Sequence, residues 1–293
     1  MTESIRGCWV AIATPVTADG SIDHAALARH GTWLLEQRCD GLVLFGTTGE
    51  GPSFSARDRL DTIAALLGAG IAPEQLALGA GFPCFKDSIA LIRDALALGP
   101  RHMLILPPYF YRDAPAAGLE AAFAAILDGV NDARVRATLY HIPQVSGVAI
   151  PPETLARLRA RYGTLVAGLK DSSADFAQFR AFRAAASDAT IVVGNETDIA
   201  RALANGGGGT ICGMANIVPS LVRAMFDDPG AETAMAGAIA LMRPPFLPSL
   251  KSVIAAMTGE PGWSRVRPPL ISAPPGAGVA IMARLQDMVQ PRT

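Results

Sequence analysis

The sequence predicts an α/β fold, a closed (β/α)8 TIM barrel with a C-terminal helical extension, and three observations carry that prediction. Eight short, β-rich apolar runs recur up to about residue 215, each followed by a longer segment of helical periodicity. Several runs are apolar at consecutive positions, as strands covered on both faces are. The first run leads into Thr14-Pro15-Val16-Thr17, which is unlike the glycine fingerprint of an open, dinucleotide-binding sheet.

Strands are expected at 8–13, 41–45, 76–79, 102–106, 135–141, 165–169, 191–193 and 210–212. Ser55 followed by Asp58 is a capping signature for a helix after the second strand. Apolar stripes at helical spacing follow strands three, four and five: Ile89, Ile92 and Leu96; then Leu119, Phe123, Ile126, Leu127 and Val130; then Leu155, Leu158 and Tyr162. The glycine run 206–209 precedes strand eight, on the wrong side of a barrel for phosphate binding, and reads as a turn. Beyond it the pattern is purely helical. Val218, Leu221, Val222 and Met225 mark the helix that completes the barrel. Three further stripes follow: Met235, Ile239 and Met242; Leu250, Val253, Ile254 and Met257; and, past a proline-rich crossing at 261–275, Ile281, Leu285, Met288 and Val289. Residues 1–225 are therefore expected to form the catalytic barrel, and 226–293 an extension packed on it, because its stripes need burial.

Composition narrows the function. The chain has 293 residues, with 25 basic against 26 acidic side chains and a formal net charge of −1, so no electrostatic footprint for nucleic acid or anionic membrane exists. Cys8, Cys39, Cys84 and Cys212 form no C-x-x-C pair, and His24, His30, His102 and His141 have no metal-ligand spacing. No metal site is expected, and the thiols read as those of a reduced, cytoplasmic protein. The N-terminus lacks a signal-peptide pattern, and no apolar run approaches the ~20 residues that span a bilayer. Only three of the 25 basic residues are lysines: Lys86, Lys170 and Lys251.

In a (β/α)8 barrel the chemistry sits at the C-terminal ends of the strands. Strand two ends in Gly46-Thr47-Thr48-Gly49-Glu50-Gly51, where backbone N–H groups and two hydroxyls can converge on a small anion; a plain glycine turn is the other reading. Strand five ends at Tyr140-His141-Ile142-Pro143. Tyr140 can relay protons or be a buried, satisfied tyrosine, while His141 faces the opposite side of the strand and reads as structural. Strand six leads into Lys170-Asp171-Ser172-Ser173. An enclosed lysine can shed its proton and attack a carbonyl, as an arginine cannot; a salt bridge to Asp171 is the alternative. Lys86 begins a helix and Lys251 lies in the extension, so solvated or packing roles suffice for both. The aromatics of 107–111 follow strand four and can line a pocket or an oligomer interface.

Three stretches together, Gly46-Thr47-Thr48-Gly49-Glu50, Tyr140-x-x-Pro143-x-x-x-Gly147 and Gly168-x-Lys170-Asp171-Ser172-Ser173, resemble the dihydrodipicolinate synthase/N-acetylneuraminate lyase family. Their order and spacing agree, and the resemblance covers essentially the whole chain. It implies a class I, metal-free Schiff-base lyase or aldolase that needs no cofactor and acts on pyruvate or another 2-oxo acid. Lys170 would form the imine, Tyr140 would shuttle protons with Thr47 as a relay, and Thr47 and Thr48 with the nearby backbone of Gly46 and Gly49 would hold the substrate carboxylate. The resemblance also places Ile211, Glu196, Thr197 and Thr210 at the substrate, and implies a homotetramer arranged as a dimer of dimers. Two departures bear on the substrate. Family members that make dihydrodipicolinate carry an arginine at the position of Val145 and a second relay tyrosine at that of Phe110. Ser146-Gly147 and Tyr111 resemble the lyase side instead. The expectation is reversible aldol cleavage of a 2-keto-3-deoxy sugar acid, or a related 2-oxo acid, to pyruvate and an aldehyde. Dihydrodipicolinate synthesis, sugar-acid dehydration and non-catalytic 2-oxo-acid binding stay as alternatives.

Overall fold

The computed structural model describes residues 3–228, 230–242 and 245–289. Eight parallel strands close on themselves in chain order, β8 pairing back onto β1. They are β1 (Gly7–Ala11), β2 (Gly41–Leu44), β3 (Leu76–Gly79), β4 (His102–Ile105), β5 (Arg136–His141), β6 (Val166–Asp171), β7 (Thr190–Val193) and β8 (Gly209–Cys212). Each overlaps its expected run, with no end displaced by more than two residues. Strand six extends furthest beyond expectation, so that Lys170 and Asp171 lie within it.

Helices α1 (His24–Glu36), α2 (Ala56–Gly68), α3 (Phe85–Leu98), α4 (Ala116–Val130), the single turn α5 (Pro143–Ser146), α6 (Pro152–Tyr162), α7 (Phe176–Ala185), α8 (Ile199–Ala204) and α9 (Pro219–Ala224) alternate with the strands. The capping box that starts α2 is present as expected: the Ser55 hydroxyl accepts from the Asp58 N–H, and the Asp58 carboxylate accepts from the Ser55 N–H. The extension comprises α10 (Ala231–Leu241), α11 (Phe246–Thr258) and α12 (Ala277–Val289). Among the described helices none is long and apolar enough to cross a membrane.

Strand alternation sorts the core into two layers. Trp9, Val43, Ala77, Leu104, Tyr140, Val192 and Ile211 point into the barrel, while their strand neighbours pack outward against the helices. The outward layer is continuous with the extension through Leu250, Val253, Ile254, Trp263 and Leu285. Trp263 packs edge-on against the His30 ring of α1, centroids 4.9 Å apart. Met257, expected on the apolar stripe of α11, is instead 36% exposed, one residue before the end of the helix. The side chains of Met288 and Val289 lie outside the described residues.

At the β1–β8 seam a side chain substitutes for ladder bonds. Asn216 is fully buried; its Oδ1 accepts from the Ala13 N–H, and its Nδ2 donates to the carbonyls of Ala11 and Gly213.

Candidate active site

Parallel pairing puts Tyr140 of β5 directly beside Lys170 of β6, and both side chains rise at the C-terminal mouth. Lys170 is 4% exposed; its Nζ lies 3.2 Å from the Tyr140 hydroxyl and 4.3 Å from the centre of the tyrosine ring. The same hydroxyl lies 3.2 Å from Thr47 Oγ1. Three groups able to exchange protons thus form an unbroken line from β6 across β5 to the loop after β2. The expected alternative, a salt bridge from Lys170 to Asp171, does not form. Adjacent strand residues face opposite ways, and Asp171 accepts from the Ser173 N–H while burial holds its carboxyl above the usual range.

The lysine stem needs room, and Gly194 supplies it. A Cβ there would stand 1.9 Å from Ser172 Oγ and 3.0 Å from Lys170 Cε. Sequence reasoning missed this residue, since one glycine after a strand carries no distinctive signal.

Lys170 opens into a cavity of about 260 Å³ walled by Thr47, Thr48, Tyr140, Asn195, Glu196 and Ile211. In the loop 46–50, no backbone acceptor among the described residues takes the N–H of Thr47 or Thr48, which together with the two hydroxyls makes a small nest of donors beside the amine. Gly49 does not border the Lys170 cavity. Its role is steric: a Cβ would come within 2.9 Å of the Ile12 carbonyl. Gly46, expected at the substrate carboxylate, does not border the Lys170 cavity; with Thr47, Leu104, Tyr109 and Tyr140 it lines a second cavity of about 320 Å³. Arg59 of α2 is buried against it. Its guanidinium donates to the carbonyls of Gly79 and Gly51, both at 2.6 Å, and lies over the Phe82 ring, and burial lowers its pKa to about 10.

Of the other expected residues, the structure gathers some and not others. Glu196 borders the cavity, but its Oε1 accepts from the N–H groups of Gly213 and Met214, and burial keeps its carboxyl above the usual carboxylate range. Ile211 reaches the cavity from β8. Thr210 does not: as its strand neighbour it faces outward, fully buried, with its hydroxyl donating to the Val193 carbonyl. Thr197 lies off the cavity and accepts from Asn195 Nδ2. His141 is structural, as expected; its Nδ1 accepts from the Ile150 N–H, and burial lowers its pKa to about 4. Tyr109 lines the second cavity, whereas Phe110 and Tyr111 are about three-quarters exposed.

Lys251 overturns the solvated reading. It is completely buried, its Nζ 2.5 Å from Glu50 Oε1 and 2.8 Å from the Thr14 carbonyl. Gln144 and Asn195 were also missed. Both border the cavity, and Gln144 donates to the Ser172 carbonyl. Their polar type was visible in the sequence, but which side chains share a mouth depends on strands far apart in the chain.

Residues 4–254 match the dihydrodipicolinate synthetase family. The chain belongs to that family. It is 38% identical over 224 residues to a DapA-like lyase of Chloroflexus aurantiacus, an overlap covering 76% of this chain and 74% of the relative. The crystal structure of dihydrodipicolinate synthase from Agrobacterium tumefaciens superimposes with a TM-score of 0.91 at 32% identity, covering 98% of this chain and all of that one. A 2-keto-3-deoxygluconate aldolase variant from Sulfolobus solfataricus shares the fold, with a TM-score of 0.83 at 19% identity over 97% of this chain and 96% of that one. As a member, the chain is a lyase of the lysine Schiff-base class.

Proposed function

We propose that this lyase cleaves a 2-keto-3-deoxy sugar acid reversibly, releasing pyruvate and an aldehyde through an imine on Lys170. The observation that carries the reading is the line Lys170 Nζ–Tyr140 OH–Thr47 Oγ1, with both steps 3.2 Å. The neutral amine attacks the C2 carbonyl, and loss of water, protonated through Tyr140, leaves an iminium ion. Tyr140 then takes the proton of the C4 hydroxyl. The C3–C4 bond breaks, its electron pair passes to the iminium as an enamine, and the aldehyde departs. Protonation at C3 and hydrolysis return pyruvate and free lysine. Thr47 and Thr48, through N–H and hydroxyl donors, hold the carboxylate throughout.

Gln144, Asn195 and Glu196 add polar side chains to the cavity lining, which suits a hydroxylated aldehyde. Val145 and Phe110 bring neither the guanidinium nor the phenol that the synthase side of the family uses. The exposed rings of Phe110 and Tyr111 support self-association, and a homotetramer is the assembly this reading carries.

Incubation with pyruvate followed by borohydride should add one reduced pyruvate adduct, located by peptide mass spectrometry at Lys170, and Lys170→Arg should abolish it. No adduct, or one elsewhere, overturns the mechanism. Screening 2-keto-3-deoxy acids for pyruvate release then tests the substrate class. Turnover of pyruvate with aspartate semialdehyde alone would favour the synthase reading, and water loss without cleavage the dehydratase reading.

A further inference from the structure

We infer that the buried Glu50–Lys251 ion pair is a positioning device through which the helical extension sets the affinity of the loop 46–50 for the substrate carboxylate. The inference rests on the reading that Thr47 and Thr48 hold that carboxylate. Glu50 is a non-glycine residue at φ 55° and ψ 33°, in the sparsely populated left-handed region, and besides the local bond from its N–H to the Thr47 carbonyl, groups outside the loop hold it there. Its carboxylate does so from both oxygens. Oε1 receives Lys251 Nζ of α11, and Oε2 receives the Arg267 N–H from the segment beyond that helix.

The contacts close a circuit. Lys251 Nζ also donates to the Thr14 carbonyl after β1, and the Thr14 hydroxyl donates to the Gly49 carbonyl at 2.8 Å. Residues 49 and 50 are thereby fixed from two directions by Thr14 and Lys251, both buried. Two positions upstream lie the unpaired N–H donors of Thr47 and Thr48. Buried ion pairs give little net stability over apolar replacements of equal volume, and their best-supported use is to specify one arrangement. The arrangement specified here is the aim of the carboxylate donors. Arg267 adds a second hold, donating to the Ser53 carbonyl and lying over the Phe54 ring.

The pair touches no reacting atom in this scheme, so its effect should appear in substrate affinity rather than in the capacity to form the imine. Full-length Glu50→Gln/Lys251→Met, which removes both charges together, should melt cooperatively. At saturation it should reach the same borohydride-trapped adduct at Lys170, but with a half-saturating pyruvate concentration raised about tenfold. Thr14→Val opens the circuit while leaving both charges in place, and should raise it about threefold. A half-saturation within about twofold of wild type for a folded double variant overturns the inference, and if that variant does not fold, an unchanged value for Thr14→Val does so. Failure of the wild type itself to form the Lys170 adduct is a different result and overturns the functional reading first.

Discussion

At the residue scale the site rests on neighbours one strand apart. Tyr140 and Lys170 share a rung of the β5–β6 ladder, so their meeting follows from register alone once the barrel closes. Removing only the phenolic oxygen tests its part. Tyr140→Phe should lower the rate of pyruvate release by roughly 100- to 10,000-fold, measured under steady-state conditions, while the variant keeps the wild-type melting temperature within a few degrees. Lys170, Tyr140 and Thr47 were legible because each lies near or just past the C-terminal end of a strand, and a barrel's chemistry lies there. Gly194 and Gln144 were not, because their significance is a distance: the closeness of a missing methyl to Lys170 Cε, and a shared cavity wall. Thr210 shows the opposite failure. It lies on the correct strand, yet the two-residue period turns its hydroxyl away from the cavity.

At the scale of elements, local chemistry and tertiary demand can be separated. The capping box of α2 is a local device, legible as Ser55 and Asp58. Ser55→Ala should cost about 1 kcal/mol, seen as a fall of about 2–4 °C in thermal unfolding with the pyruvate adduct unaffected at lower temperature. The same helix carries Arg59 to the carbonyls of Gly51 and Gly79, tying the turns after β2 and β3 together. That function was invisible in the helix's periodicity, since a long cationic side chain at a buried position reads as a surface one. The turn α5 was unseen for another reason. Four residues are too few to show any period, and its prolyl start alone reads as a loop.

For the whole molecule, burial of ionisable groups sets the response to acid. His30, His102 and His141 are each pushed by burial from an ordinary value of 6.5 to about 4. Between those values the unfolded chain binds protons that the folded chain refuses, so stability is complete above about pH 6.5 and is lost as pH falls towards 4. The melting temperature should therefore hold steady from pH 8 to about 6.5 and then decline. A flat profile down to pH 4 would contradict the assignment of these rings as buried and neutral. The barrel and the existence of the extension were both legible, because eight apolar runs and four helical stripes are statements about periodicity. How the extension meets the mouth was not. That contact joins Lys251 to Glu50, 201 positions away, and no local pattern encodes it.

The scarcity of lysine has a consequence for handling this protein. Its three side-chain amines occupy three different settings: Lys86 is open to solvent at the start of α3, Lys170 faces a small cavity, and Lys251 is sealed in the interior. An acylating reagent too bulky for the cavity would mark Lys86 alone among them, and one small enough to enter would add Lys170. Lys251 would react only after unfolding. The folded chain thus carries its own graded ruler of amine accessibility, with surface, mouth and core each represented by a single reactive nitrogen.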